Sequence, residues 1–166
     1  MLTAEVDEAR LREQRVILLN AGHPGVPIYF DLIRGQYDRP TPISAWTLSA
    51  SFLPYRLTRV SDRALELEPI GGKLVAALFE RVFRTGEAVV RPGDIFDLPG
   101  VRLTVLAADS GGIARLRAEF DRPLEHPGLA FLIASPSGLS RAILPAVGQR
   151  VVIPSPAFPA RVRTDH

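Results

Sequence analysis

Apolar positions in this chain fall in short runs, and the spacing inside the runs changes along it. Arg15 to Asn20 holds Val16-Ile17-Leu18-Leu19, a continuous apolar run of strand length that predicts a buried strand. The loop Ala21-Gly22-His23-Pro24-Gly25 follows. Val26 to Arg34 then takes helical spacing, with Ile28 and Leu32 on one face beside Tyr29 and Ile33. Pro27 suits a first helical turn and Gly35 ends the pattern. Gln36 to Pro42 reads as a turn-rich connector.

From Ile43 onward the pattern is that of strands. Ile43 to Ser51 forms one, containing Trp46. Tyr55–Val60 and Arg63–Glu68 form a hairpin around Ser61-Asp62. In its second arm Leu65 and Leu67 point one way and Glu66 and Glu68 the other, the period of two of a half-buried strand. After Gly71-Gly72 the spacing becomes helical again, with Leu74, Leu78 and Val82 aligned, and predicts a second short helix over 74–83. The clearest hairpin comes next: Val101 to Ala108 alternates, Asp109-Ser110-Gly111-Gly112 turns, and Ile113 to Phe120 returns. Leu116, Ala118 and Phe120 face inward there, and Arg115, Arg117 and Glu119 outward. Leu129–Ala134, Ser140–Leu144 and Gln149–Ile153 are further strands. One local device occurs twice: Gly93-Asp94-Ile95-Phe96-Asp97-Leu98-Pro99 parallels Gly148-Gln149-Arg150-Val151-Val152-Ile153-Pro154, each a glycine turn, a short strand and a proline stop.

These elements predict a mostly-β (α+β) fold, a small β-barrel or β-sandwich with two short helices near residues 26–34 and 74–83. Residues 1–14 read as a polar linker or juxtamembrane helix, with acids first, bases last and only a thin apolar face. Residues 15–154 make one globular domain and 155–166 a flexible tail. The length of 166 residues fits one core, and the 15 prolines and 13 glycines fit frequent turns.

Composition narrows the chemistry. Without cysteine there is no disulfide, thiolate metal site or cysteine nucleophile. No run approaches the roughly 18 apolar residues of a membrane span. The net charge is only +2, and the arginine bias reads as genomic composition before it reads as phosphate recognition. Nucleic acid is thus a disfavoured partner. Arg102, Arg115 and Arg117 nonetheless share the outward side of the best hairpin, with Arg56, Arg59 and Arg63 on another. They define the alternative of a β-barrel binding single-stranded nucleic acid or another polyanion. The stacking aromatics such a surface uses are missing beside them, Tyr55 apart.

Candidate enzymatic groups are sparse. Asn20, His23 and Gly25 sit at a strand's carboxyl end before a helix, where α/β folds place ligands. The glycine spacing is that of neither dinucleotide nor phosphate loops, and the chain is not expected to continue as βαβ. An enzyme using the His23 loop is a second alternative. Gly138-Leu139-Ser140-Arg141-Ala142 faintly matches a nucleophile elbow but is followed by strand pattern, not helix. His23, His126 and His166 are too dispersed for a metal site, and no cofactor is implied. The carboxylate pairs Glu66/Glu68 and Asp94/Asp97 read as solvated surface, and Trp46, Phe79, Phe83 and Phe96 as core.

Several stretches resemble the C-terminal soluble region of uncharacterised bacterial multi-pass membrane proteins. They are Arg15-Val16-Ile17-Leu18-Leu19-Asn20-Ala21, Leu57-Thr58-Arg59 leading into Leu65-Glu66-Leu67, Leu78-Phe79-Glu80-Arg81-Val82-Phe83-Arg84, Gly93-Asp94 with Val101 to Leu106, and Glu119-Phe120-Asp121-Arg122-Pro123-Leu124. The resemblance spans most of residues 15–154 and brings no functional residues with it. It implies a membrane-tethered accessory domain whose residues 1–14 form the junction. The expected function is a non-catalytic interaction or regulatory domain, with a protein or the chain's own membrane region as partner.

Overall fold

The computed structural model describes residues 3–4, 6–21, 25–49, 53–74, 90–135 and 138–155. Its strands are β1 (Thr3–Ala4), β2 (Arg15–Asn20), β3 (Ser44–Thr47), β4 (Tyr55–Arg59), β5 (Ala64–Pro69), β6 (Ile95–Leu98), β7 (Val101–Asp109), β8 (Gly112–Phe120), β9 (Leu129–Ser135), β10 (Gly138–Ala142) and β11 (Arg150–Ile153). They form two sheets: a mixed one in the order β1-β10-β9-β2-β3, and an antiparallel one in the order β11-β4-β5-β8-β7-β6. The class is mostly β, as the alternating runs imply. The two sheets pack as layers of a sandwich, with helix α1 (Gly25–Gln36) and a 3-10 turn (Ala9–Glu13) as a third layer behind the mixed sheet.

The continuous apolar run explains this layering. Alternate residues of β2 face opposite ways. Val16 and Leu18 meet Leu11 of the 3-10 turn and Phe30 of α1. Ile17 and Leu19 meet Leu57, Leu65 and Phe120 of the antiparallel sheet. Both neighbours of β2, β3 and β9, run parallel to it. Parallel pairing needs a crossover, and α1 supplies it between β2 and β3. One βαβ unit is therefore present, contrary to the expectation from the glycine spacing. It arises because α1 has an apolar face, carried by Phe30, to lay over β2.

The helix also runs past Gly35. Its end is a Schellman motif: Arg39 N–H donates to the Arg34 carbonyl at 2.9 Å and Asp38 N–H to the Gly35 carbonyl at 3.2 Å. The left-handed position falls on Asp38 (φ 51°), an aspartate where glycine is usual.

The N-terminal stretch departs from the helix expected of it. Thr3–Ala4 pairs with β10 as an edge strand, and the helical part is one 3-10 turn. Leu11 is 1% exposed and Gln14 donates through Nε2 to the Pro127 carbonyl at 2.7 Å, so this stretch is part of the fold. Leu11, with Val6 packed against the same cluster, anchors it, and two apolar contacts give only a thin helical face. The second predicted helix lies outside the described residues apart from Leu74, which bridges to Ile113. The predicted tail beyond Ser155 lies outside them too.

The antiparallel sheet is nearly two-fold symmetric about β5 and β8. On each side an edge strand enters through a turn with glycine at positive φ, Gly93 (93°) before β6 and Gly148 (80°) before β11. In each turn the following amide closes on a carbonyl three residues back, Asp94 to Arg91 and Gln149 to Ala146. Each glycine amide then bonds the neighbouring strand, Gly93 to Val105 and Gly148 to Arg59. Side chains cannot adopt that φ without strain, so the repeated glycines are turn requirements. The flanking strands match as well: Tyr55-Arg56-Leu57-Thr58 occupies in one half the register of Val101-Arg102-Leu103-Thr104 in the other.

β2 crosses the inner face of this sheet from corner to corner. At its start Arg15 meets Gly100 and Asp121. At its end the Leu19 carbonyl accepts the Tyr55 hydroxyl, and Asn20 Nδ2 donates to the Pro154 carbonyl at 3.2 Å. Tyr55 is fully buried, and burial pushes its phenol well above the usual 10.0. A pKa raised in the folded state adds stability that is complete below the unfolded value and is lost as pH rises above it. Urea denaturation is expected to show stability falling above about pH 10, with a smaller fall in Tyr55→Phe. At neutral pH the same variant is expected to lose about 1–3 kcal/mol, because the Leu19 carbonyl stays buried without its donor. An unchanged urea midpoint would show that this bond holds nothing.

Candidate functional site

The carboxyl end of β2 is the first place to look for a site. Asn20 is 2% exposed and held on the Pro154 carbonyl. Ala21 N–H donates to the Ser49 carbonyl at 3.0 Å, and the pairing of β2 with β9 shifts register between Leu18 and Asn20. Gly25 opens α1, while His23 lies outside the described residues. The structure thus brings Asn20 and Gly25 to the same end of the βαβ unit, and Asn20 has a structural duty there.

The outward arginines sit in a lattice of opposite charge. Arg102 bonds Asp97 through Nε at 2.7 Å across the β6–β7 pair, which raises its pKa further, and Glu119 is its register partner on β8. Arg117 places Nη2 2.6 Å and Nε 3.0 Å from one oxygen of Glu66. Arg56 meets Glu68 at 3.3 Å. Arg115 is exposed, with Ala107 as its register partner. The carboxylate pairs singled out for acid–base work are therefore mostly partners of arginines. Asp94 instead accepts the Arg91 amide at 2.7 Å within its turn.

Arg59 corrects the outward reading given to it. It lies on the inward parity of β4 with Tyr55 and Leu57 and is 8% exposed. Its guanidinium bonds the Ser61 carbonyl at 3.0 Å, the Pro145 carbonyl at 3.4 Å and the Glu125 carboxylate. That hydrogen bond holds the Glu125 carboxyl below its usual range. Arg34, also 8% exposed, bonds the Pro40 carbonyl and Glu8 and lies 5.5 Å from the Phe30 ring centre. Both arginines tie loops to the sandwich.

The elbow-like segment is a continuous strand, β10, with Ser140 in register with Ile133, so it lacks the strand–turn–helix geometry of a nucleophile elbow. His126 accepts the Gly128 amide on Nδ1 at 3.0 Å within its loop, and His166 lies outside the described residues. Among the described residues no group of three His, Cys, Asp or Glu is placed to hold a metal ion.

The unexplained chemistry lies at the other end of β2. Arg15 pairs in register with Ser44, and Ile17 with Trp46. Ile17 belongs to the inter-sheet core, so all four side chains lie on the inter-sheet face. Arg15 Nε, Ser44 Oγ and Trp46 Nε1 are buried there with no hydrogen-bond partner among the described residues. A buried polar group left unpaired costs about 1–3 kcal/mol, and these three fall together on adjacent strands. The remaining guanidinium edge of Arg15 places Nη1 3.2 Å from Asp121 Oδ1. Asp121 also accepts Arg122 Nε at 3.1 Å. Burial raises the Asp121 pKa, but the bond from Arg122 and the two arginine charges outweigh it and hold it below the usual value. Beside this corner runs an open groove of about 290 Å³, walled by Asp97, Gly100, Arg102, Glu119 and Asp121.

Sequence patterning read Trp46 as core, and its ring does pack against the inter-sheet core. It gave no hint of Ser44 or Arg15. The available signal was an arginine and a serine at the head of runs that turn inward, which is also ordinary strand grammar. Comparisons with family models, with curated proteins and with solved structures find no match for this chain.

Gly100 shows how closely Arg15 is fitted. It has φ 81°, and a Cβ there would lie 1.5 Å from Arg15 Nη1. Gly100→Ala is expected to cost about 1–3 kcal/mol from backbone strain alone, and more from the clash. Arg15→Ala removes the clash, so the double variant should lose less than the sum of the two. Additive losses in chemical denaturation would show that Arg15 does not occupy this place.

Proposed function

We propose that this chain is a non-catalytic interaction or regulatory domain, the soluble end of a bacterial membrane protein. The observation that carries the reading is β6. It is an outer strand of the antiparallel sheet, paired on one side with β7. Ile95 and Phe96 point to opposite faces of it and are 55% and 44% exposed, so Phe96 lies at the surface and not in the core as its pattern suggested. An edge with no backbone partner among the described residues and with apolar side chains on both faces is a liability in an isolated domain and a template for an added strand from a partner. Arg34, Arg59 and Gln14, by contrast, are spent on loop carbonyls and carboxylates. Among the described residues no helix is long and apolar enough to cross a membrane, so a helical tether would lie outside them.

A photo-crosslinking residue placed at Phe96 in the native host tests the reading. A crosslinked product of defined mass, found with membranes and missing when the same group replaces Glu119, is the expected result. Absence of any product at Phe96 and Ile95 would overturn it. The polyanion alternative makes a contrary prediction. Because Arg102 and Arg117 already face Asp97 and Glu66, a labelled single-stranded oligonucleotide is expected to bind only weakly. Tight binding that falls steeply with salt and is lost in Arg115→Glu with Arg117→Glu would favour the polyanion reading instead.

A further inference from the structure

We infer that Arg15, Ser44 and Trp46 form a carboxylate-binding site at the open corner between the two sheets. Register places the three side chains on one face of adjacent strands, and each presents a buried polar atom with no partner among the described residues. Arg Nε–H and Trp Nε1–H can only donate, so their complement must accept; the serine hydroxyl donates equally well. Two donor-only groups and a hydroxyl on one face suit an oxygen pair with several lone pairs, which is the acceptor geometry of a carboxylate.

Charge favours an anion over a neutral carbonyl. Asp121 is shared between Arg15 and Arg122, so these three side chains together carry one net positive charge. Asp97 is engaged by Arg102 on the far wall of the groove, and Glu119 lies on the outward face of its strand with Arg117. Access is compatible with this. Among the described residues β3 is the outer strand of its sheet, and Ser44 and Trp46 are each half-buried, so the donors lie just beneath the surface. The groove is walled in part by Gly100 and Asp121, the two residues that the Arg15 guanidinium meets. The site is separate from the β6 edge and stands or falls without it.

The chain's single tryptophan makes the test direct, because its indole N–H gives one isolated signal in a proton–nitrogen correlation spectrum. Sodium acetate is titrated into the intact protein at neutral pH against sodium chloride at equal ionic strength. A saturable shift of the indole signal with acetate and none with chloride is the expected result. Ser44→Ala and Arg15→Met should each weaken acetate binding by about tenfold or more, the loss expected for a hydrogen bond to a charged acceptor. If Arg15→Met does not fold, Ser44→Ala alone decides, since it removes only one oxygen. N-acetyl-dialanine and its amide separate the sources of the carboxylate. Tighter binding of the acid than of acetate assigns the site to a peptide chain end; equal binding assigns it to a small free carboxylate. An indole signal that ignores acetate overturns the proposal, with an internal water as the acceptor instead. A shift equal in acetate and chloride overturns it too, as does a shift undiminished in Ser44→Ala.

Discussion

A strand that is apolar on both faces must be covered on both, and β2 is that strand. Val16 and Leu18 require a layer behind the sheet, while Ile17 and Leu19 require one in front. Covering the back uses α1 and the 3-10 turn, which forces the chain through a crossover and makes β3 parallel to β2. Covering the front uses the six-stranded sheet, across which β2 runs as a diagonal. Arg15 at one end and the Leu19 carbonyl at the other fix that diagonal at opposite corners, so an error in the placement of β2 would disturb both cores at once.

The front sheet was built by using one device twice. Type II-like turns with Gly93 and Gly148 launch β6 and β11 onto equivalent positions of β7 and β4. The halves differ where the outer face carries charge. Arg102 reaches the edge carboxylate of Asp97, whereas Arg56 turns inward along the sheet to Glu68, because Val152 occupies the corresponding edge position. The edge strands consequently have different characters. β11 ends in a buried isoleucine and an engaged proline carbonyl, while β6 keeps Ile95, Phe96 and Asp97 in solvent.

Much of this architecture was legible in the residues, for reasons of period. Alternation in 101–108 and 113–120 gave the long hairpin and its inward faces, and the continuous run at 16–19 gave the buried strand. The 3.6 period at 26–34 gave α1 to within about two residues. What escaped was decided by tertiary partners. Leu11 and Val6 pack as isolated anchors five residues apart, which no periodic signal reports. Arg59 occupies an inward position because two loop carbonyls and Glu125 surround it, and a charged residue at an inward parity looks like a solvent-facing one. The corner donors were missed for the same reason: Arg15 and Ser44 belong to different strands, and only the parallel pairing set up by α1 makes them neighbours.

The pairing of β11 with β4 carries a temporal consequence. Residues 55–59 leave the ribosome long before residues 150–153, so during synthesis the β4 edge waits uncovered while the rest of its sheet is already complete. The same sheet's other edge closes in sequence order, with β6, β7 and β8 emerging one after another. Among the described strands β11 is the last to emerge, and it covers Tyr55 and leads into the Pro154 carbonyl that holds Asn20. During that wait the β4 edge is a second vacant berth, open to a chaperone or a second nascent copy until β11 arrives.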